Sequence, residues 1–442
     1  MKSNMKKFIA LILILFSAGT FAQEKLTLKE CLSIGLKNSK ELAIANSRIV
    51  SSSAKVDEIN TQYLPQLKFN ASYSRLSDVP PFEITVPFSP KPIQIAPAIL
   101  NNYSFRLSMQ QPVFTGFRIG SLKSAAELNR HAAEEDYDKD KNEVSMNIHN
   151  AFWNYYKSIQ VKNLMDENLQ MIDKHIEDTR NFMSQGLATQ NDLLKLQVQQ
   201  SNIKLQQIDA RNNIDLARTA LNKAIGLPLN SPTEILPEEA DISAPVQYNL
   251  QELVNEALNK RSELKSLVLR IEAGMENVNA VKSTWYPSVY VTGNYYYSNP
   301  NQRYQPPQEK FKGTWDLGIS LSWDIWNWGN TSAQTVQAEQ NVVQSTISKD
   351  QLKDAIEFEV NQNYLAYIYN KEKLDVTKTA IQQAEENYRT TEEKYKYQLA
   401  TSTDLIDAET SLLQANTNYT NSVIDFQLSK IRLYKSVGRM IN

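Results

Sequence analysis

Two stretches of this chain, residues 121–185 and 330–398, contain neither proline nor glycine. These are the residues that most readily end or bend a helix, so such stretches predict helices of uncommon length. At ~1.5 Å per residue each would reach on the order of 100 Å. An element that long must lie along neighbours of comparable length to bury an apolar face. The second stretch carries that contact in its periodicity. Val360, Tyr367, Leu374, Ile381, Tyr388 and Tyr395 recur every seven residues, and the seam resumes as Leu405, Leu412, Tyr419, Phe426 and Leu433. The first keeps Ile148, Tyr155, Leu169, Ile176 and Met183 in phase and places Lys162 in the seam. A sustained sevenfold repeat predicts helices supercoiled against one another. Glycine numbers only 12 in 442 residues, well below the usual ~7%, as long helices require.

The pattern occurs twice. Leu28 aligns with Leu250, and Tyr63-Leu64-Pro65 with Trp285-Tyr286-Pro287, at an offset of 222. Later the offset is 212, where residues 185–193 share five of nine identities with 397–405 and Gly226 falls on Gly438. Each unit opens with a helical segment (27–62, 249–284) stopped by a proline, Pro65 or Pro287. Short alternating segments follow. Leu67, Phe69, Ala71 and Tyr73 alternate with Lys68, Asn70, Ser72 and Ser74; Tyr103, Phe105, Leu107 and Met109 alternate with polar residues; so do Trp315, Leu317, Ile319, Leu321 and Trp323. Period two is the strand signal. The segment from Val289 to Tyr297 is aromatic on both faces.

These signals set the expected boundaries. A first repeat, 23–226, holds helices 27–62, 117–185 and 189–226 with strands 65–77 and 102–114. A linker, 227–248, precedes a second repeat, 249–442, with helices 249–284, 330–397 and 401–438 and strands 287–299 and 313–326. Residues 1–22 read as a secretory signal: Lys2, Lys6 and Lys7, an apolar run from Phe8 to Phe16, then small residues to Ala22. The single cysteine, Cys31, excludes an internal disulfide, lies well past that cleavage site and reads as a buried helix residue rather than a lipid-anchored N terminus. A net charge of −2 gives no basic patch for nucleic acid.

Amphipathic strands on a helical protein admit two readings. One is a water-soluble sheet packed on helices. The other is a membrane barrel, favoured by export, by strands long enough to cross a bilayer when tilted, and by Trp315, Trp323, Trp326, Trp328, Tyr295 and Tyr297 as an interfacial belt. Four strands cannot sit in lipid with open edges, so copies of the chain must close them. Two copies give eight strands, whose interior side chains fill, whereas three give twelve and an aqueous bore lined by Ser, Asn, Arg106, Asp316 and Asp324. The expected fold class is mainly α with transmembrane β: a duplicated helix, β-hairpin and long helical hairpin.

This order of features resembles the TolC-type outer-membrane efflux protein family. Local matches are Leu26-Thr-Leu-Lys-Glu-Cys-Leu with Asn38 and Glu41-Leu42, Pro112-Val113-Phe114 with Gly116, and the turn segments 186–193 and 399–405. The resemblance implies a homotrimer with a twelve-stranded barrel in the outer membrane of a Gram-negative cell, continued by a periplasmic α-helical barrel. Residues 227–248 and the C-terminal tail would form a belt around it. It implies an exit duct without cofactor, partnered by a periplasmic adaptor (membrane fusion) protein and an inner-membrane transporter in drug or metal efflux or type I secretion. A pore-free periplasmic scaffold and a secreted enzyme are the competing classes. The residues supply no catalytic constellation: His131, His149 and His175 lack ligand spacing, and no phosphate loop or nucleophile elbow occurs.

Asp404 and Asp407, at i and i+3, share a helix face. They read either as a cation-selective ring at a periplasmic gate, which the resemblance favours, or as ordinary acids at a helix N-terminus. In the first repeat Asp192 is kept and Lys195 replaces the second acid. Relatives can lock the closed tip with a basic residue after the second turn's glycine, whereas this turn reads Gln398-Leu399-Ala400. Gly186, Leu187, Ala188 and Thr189, with Leu399, Ala400 and Thr401, are candidate adaptor-docking tips or plain chain reversals. The Pro-rich segment from Val79 to Pro97 has no strand pattern and is placed as an extracellular loop.

Overall fold

A computed structural model describes residues 25–78, 80–96, 98–236 and 248–441. The expected signal segment, residues 237–247 of the linker, and Val79 and Pro97 at the ends of the Pro-rich loop lie outside them. The helices are α1 (Leu28–Asn38), α2 (Lys40–Thr61), α3 (Arg118–Ser184), α4 (Gln190–Ile225), α5 (Leu250–Lys260), α6 (Ser262–Lys282), α7 (Asn330–Lys396) and α8 (Ser402–Ser436). The strands are β1 (Gln66–Arg75), β2 (Phe82–Ile84), β3 (Ile93–Ala96), β4 (Asn101–Phe114), β5 (Ser288–Asn299) and β6 (Lys312–Ser322). α3 and α7 each run for 67 residues. No helix among the described residues is both long and apolar enough to cross a membrane.

Positive φ angles trace the duplication in the backbone. Eight described residues adopt them: Gly116, Phe117, Gly186, Gly226, Trp328, Gly329, Gln398 and Gly438. They form four pairs, 116 with 328, 117 with 329, 186 with 398 and 226 with 438, all separated by 212. Where a strand meets a long helix, two consecutive left-handed residues are needed, and glycine fills the first in one repeat and the second in the other. Phe117, Trp328 and Gln398 hold the same backbone despite a cost of roughly 1–2 kcal/mol each for a side chain there.

Two of the sequence expectations need correction. The helical segments 27–62 and 249–284 are each broken once, at Ser39 (φ −62°, ψ 119°) and Arg261 (φ −62°, ψ 120°), which again correspond at the offset of 222. One extended residue is invisible to apolar periodicity. Ser39 Oγ accepts the Leu42 N–H at 3.2 Å and so starts α2 as α1 ends. Within the Pro-rich loop, β2 and β3 pair as a short antiparallel ribbon although its prolines mask any alternation.

The chain divides into two compact units, and neither coincides with a sequence repeat. Residues 45–136 and 263–352 form the first. Its four-stranded antiparallel sheet has the order β1-β4-β5-β6, so the hairpin of each repeat meets the other through β4 and β5. The register places Leu67, Phe69, Phe105, Leu107, Tyr295, Trp315, Leu317 and Ile319 on one face, and Lys68, Asn70, Arg106, Ser108, Asn294 and Asp316 on the other. β4 bulges between Pro112 and Phe114, leaving Val113 unpaired beside a residue with no N–H to give. β6 ends at Ser322, so Trp323 and Trp326 follow the strand rather than belonging to it.

Residues 25–44, 137–236, 248–262 and 353–441 make up the described part of the second unit. Cys31 and Leu32 of α1 pack with Ile148, Phe152, Trp153 and Tyr155 of α3, Leu221 and Ile225 of α4, and Ile424 and Leu428 of α8. No seam residue is exposed, and Lys162 is satisfied by Asp166, which also accepts from Gln207 at 2.6 Å. The chain after α4 is pinned by the buried Asn222, which donates to the Leu229 and Ser231 carbonyls and accepts from Thr233 Oγ1 at 2.6 Å. Leu26 pairs with Ile235 beside it.

His149 is buried in α3, and burial lowers its imidazole from 6.5 to about 4. It is neutral in the fold but takes a proton below pH 6.5 once unfolded, so stability is full above that value and falls as pH drops toward 4. By pH 5 the linkage amounts to about 2 kcal/mol. Urea midpoints followed by circular dichroism are expected to fall between pH 7.5 and pH 5, and His149→Leu to remove most of that fall; an equal fall in the variant assigns it to other groups.

Candidate functional site

The two turns that reverse the long helices are built alike. At the first, Leu187 N–H donates to the Phe182 carbonyl at 2.8 Å; at the second, Leu399 N–H donates to the Lys394 carbonyl at 2.7 Å. This six-to-one closure needs a left-handed residue one position earlier, where Gly186 has φ 72° and Gln398 has φ 65°. It projects Leu187 and Leu399 outward, 53% and 77% exposed. Ala188 and Ala400 are half-buried, and the cavity between the turns, about 210 Å³, is lined by Phe182, Leu187, Tyr395 and Ser402 among others.

Thr189 and Thr401 then start α4 and α8 as N-caps. Thr401 N–H donates to Asp404 Oδ2 at 2.8 Å, and Thr401 Oγ1 accepts the Asp404 N–H at 3.2 Å. Asp192 closes the same reciprocal box with Thr189. Asp404 is therefore a helix-starting acid, and hydrogen bonds from the Thr401 side chain and backbone hold its carboxyl below the usual range. Asp407 lies exposed one turn further on the same helix, outside the box. Both acids face away from the packed seam, so the cap and a charged surface are compatible uses of Asp404.

A ladder of polar contacts joins the two hairpins behind the turns. Ser402 Oγ donates to Asp192 Oδ1 at 2.8 Å, and Lys195, which occupies the place of the second acid, donates to Thr403 Oγ1 at 3.0 Å. Thr179 Oγ1 and Tyr395 Oη lie 2.7 Å apart, tying α3 to α7. Deeper still, His175 Nε2 is 2.9 Å from Glu409 Oε1, with both side chains 2% exposed, and 3.2 Å from Tyr388 Oη. His175 is thus a seam residue that links three helices. The sequence signal for this group was available: Glu409 follows Leu405 by four, a core position of the heptad where an acid needs a partner.

A family described as Outer membrane efflux protein matches residues 32–227 and 253–439. The chain belongs to the outer membrane efflux protein family. The outer membrane protein TolC of Vibrio cholerae is 20% identical over 445 residues, which is 100% of this chain and 96% of that protein. The toluene efflux pump outer membrane protein TtgC of Pseudomonas putida is 21% identical over 328 residues, 73% of this chain and 66% of that one. Among solved structures, the outer membrane protein VceC from Vibrio cholerae superposes with a TM-score of 0.76 at 18% identity, covering 94% of this chain and 97% of VceC. The Campylobacter jejuni CmeC outer membrane channel gives 0.73 at 17% identity, covering 95% and 90%. As an outer membrane efflux protein, the chain belongs in the outer membrane and serves transport; its family is one of efflux channels and not an enzyme class.

Removing one partner of the buried His175–Glu409 contact leaves the other's polar group unanswered and costs about 1–3 kcal/mol. Glu409→Ala is expected to lower helical-unit stability by that order in urea titration, and Glu409→Met combined with His175→Leu to recover most of it. A single variant as stable as the parent would mean the pair contributes nothing.

Proposed function

We propose that three copies of this chain close their sheets into a twelve-stranded barrel and serve as the exit duct of an efflux or type I secretion system. The observation that carries this reading is the sheet itself. β1 and β6 are each paired on one side only, and the face bearing Phe69, Trp315, Leu317 and Ile319 is open, with Ile319 77% exposed. Such a sheet is unstable in water and, with open edges, in lipid. The pairing already present inside the chain supplies the pattern for closure. β4, the last strand of one repeat, pairs with β5, the first of the next; β6 stands in the same relation to β1 of a neighbouring copy. Twelve strands leave room for a bore, which eight do not.

The helices support the same assembly. Phe358, Leu365, Tyr369 and Val376, spaced seven, four and seven apart on α7, form a second apolar stripe that the protomer leaves exposed. α4 presents Leu194, Val198 and Leu205 in the same way. Stripes of this spacing are coiled-coil seams awaiting partner helices. In a closed ring the exposed Asp404 and Asp407 gather as rings of three, which attract cations and repel one another. The turns bearing Gly186, Leu187, Ala188, Thr189, Leu399, Ala400 and Thr401 dock a periplasmic adaptor that links the duct to an inner-membrane transporter.

The detergent-extracted protein is expected to run as a heat-modifiable trimer and to conduct ions in planar bilayers; a water-soluble monomer without conductance overturns the reading. Asp404→Asn with Asp407→Asn keeps a cap acceptor, so the fold should persist while leak rises and block by multivalent cations weakens several-fold. Unchanged block would reject the ring. Leu187→Glu and Leu399→Glu are expected to abolish efflux in cells without loss of trimer, and retained efflux would place docking elsewhere.

A further inference from the structure

The two faces of the sheet differ in charge as well as in polarity. Along the shared register the apolar face carries no charge until Arg75 at the end of β1, which donates to Asn101 Oδ1 at 3.0 Å. The polar face carries Lys68 on β1, Arg106 on β4, and Asp316 and Lys312 on β6. Arg303, from the β5–β6 connection, joins Asp316 at 2.5 Å. Four cations therefore share this surface with one carboxylate. Arg106 is held in place by an amide: its Nε and Nη2 donate to Asn294 Oδ1 at 3.1 and 2.8 Å, and Asn294 Nδ2 donates to Asp316 Oδ1 at 2.7 Å. Both guanidinium groups lie near the Tyr296 ring, 5.4 Å for Arg106 and 4.7 Å for Arg303. Asn294 thus fixes Arg106 without cancelling its charge.

We infer that the polar face forms an anion-selecting girdle in the barrel, centred on Arg106 and Lys68, that binds multivalent oxyanions such as phosphate esters. The inference rests on the barrel reading above. Inside a bore the copies bring these excess charges together with little screening, and rings of Arg and Lys favour anions. A guanidinium presents a fork that suits phosphate and carboxylate oxygens, and fixing it beforehand removes part of the ordering cost of binding.

The test uses the full-length trimer in planar bilayers, with the Asp404→Asn, Asp407→Asn variant as parent so that the acidic turns do not mask the effect. Under a potassium chloride gradient the parent's reversal potential is expected to lie on the anion-selective side. Arg106→Gln with Lys68→Gln should move it toward zero, and Asp316→Asn should move it the other way. Inorganic tripolyphosphate added on the barrel side should block the parent. The double glutamine variant should need at least about tenfold more, the loss of one charge-assisted contact. A conducting channel whose selectivity and block ignore all three substitutions overturns the girdle, while a protein that does not conduct at all overturns the barrel reading beneath it.

Discussion

A strand in hydrocarbon can send its backbone hydrogen bonds only to another strand. In this chain β4 and β5 are satisfied on both sides and β1 and β6 on one. Every other arrangement in the strand unit follows from that shortage. The apolar face, which carries Phe69, Trp315, Leu317 and Ile319, is left open by the protomer. On the polar face Arg106 donates to Asn294 Oδ1 and Asn294 Nδ2 to Asp316 Oδ1, while Ser108 Oγ donates to the Lys68 carbonyl. The duplication gives the chain two hairpins, which meet through β4 and β5.

The helical parts of the fold were legible because their information is periodic. Proline and glycine absence fixed the length of α3 and α7, and the seven-residue seam from Val360 to Leu433 marked a face that is buried or half-buried throughout. What escaped is aperiodic. Ser39 and Arg261 break two helices with a single extended residue; Ser39 offers a capping hydroxyl, but Arg261 is an ordinary helix former and gives no such sign. The β2–β3 ribbon is short and proline-flanked, so alternation has no length over which to show. Trp323 continues the apolar alternation of β6 by composition, yet the strand stops at Ser322 and its indole instead donates to the Trp285 carbonyl at 3.1 Å.

The turns were legible for a different reason: they occur twice. Leu187-Ala188-Thr189 and Leu399-Ala400-Thr401 match because the closure that ends one helix and the cap that begins the next place demands on each position. The demand at 398 is for a left-handed backbone, and glutamine meets it, which shows that the surrounding hydrogen bonds and not the residue's preference set the conformation. The contacts between hairpins were not legible. Ser402 to Asp192 and Thr179 to Tyr395 join residues more than two hundred positions apart, and short polar side chains at exposed-looking positions announce no partner. Glu409 carried a signal that the sequence reading passed over: an acid four residues after Leu405 of the seam needs a buried answer, which His175 provides.

Asp404 and Asp407 share a helix face but differ in what the helix asks of them. The first is required by the helix: its Oδ2 takes both the amide and the hydroxyl of Thr401, and any chain that begins a helix with threonine here profits from an acid three residues later. Asp192 repeats that arrangement in the other hairpin. The second acid has no such excuse. It lies beyond the reach of the cap and leaves its carboxylate exposed, while the equivalent place in the first repeat carries Lys195, which is spent on Thr403. If the acids were there for helix stability alone, both repeats would tolerate the same residue at both positions. The asymmetry falls outside the cap: Asp407 is exposed in one repeat, and in the other Lys195 reaches across to Thr403 of the neighbouring hairpin.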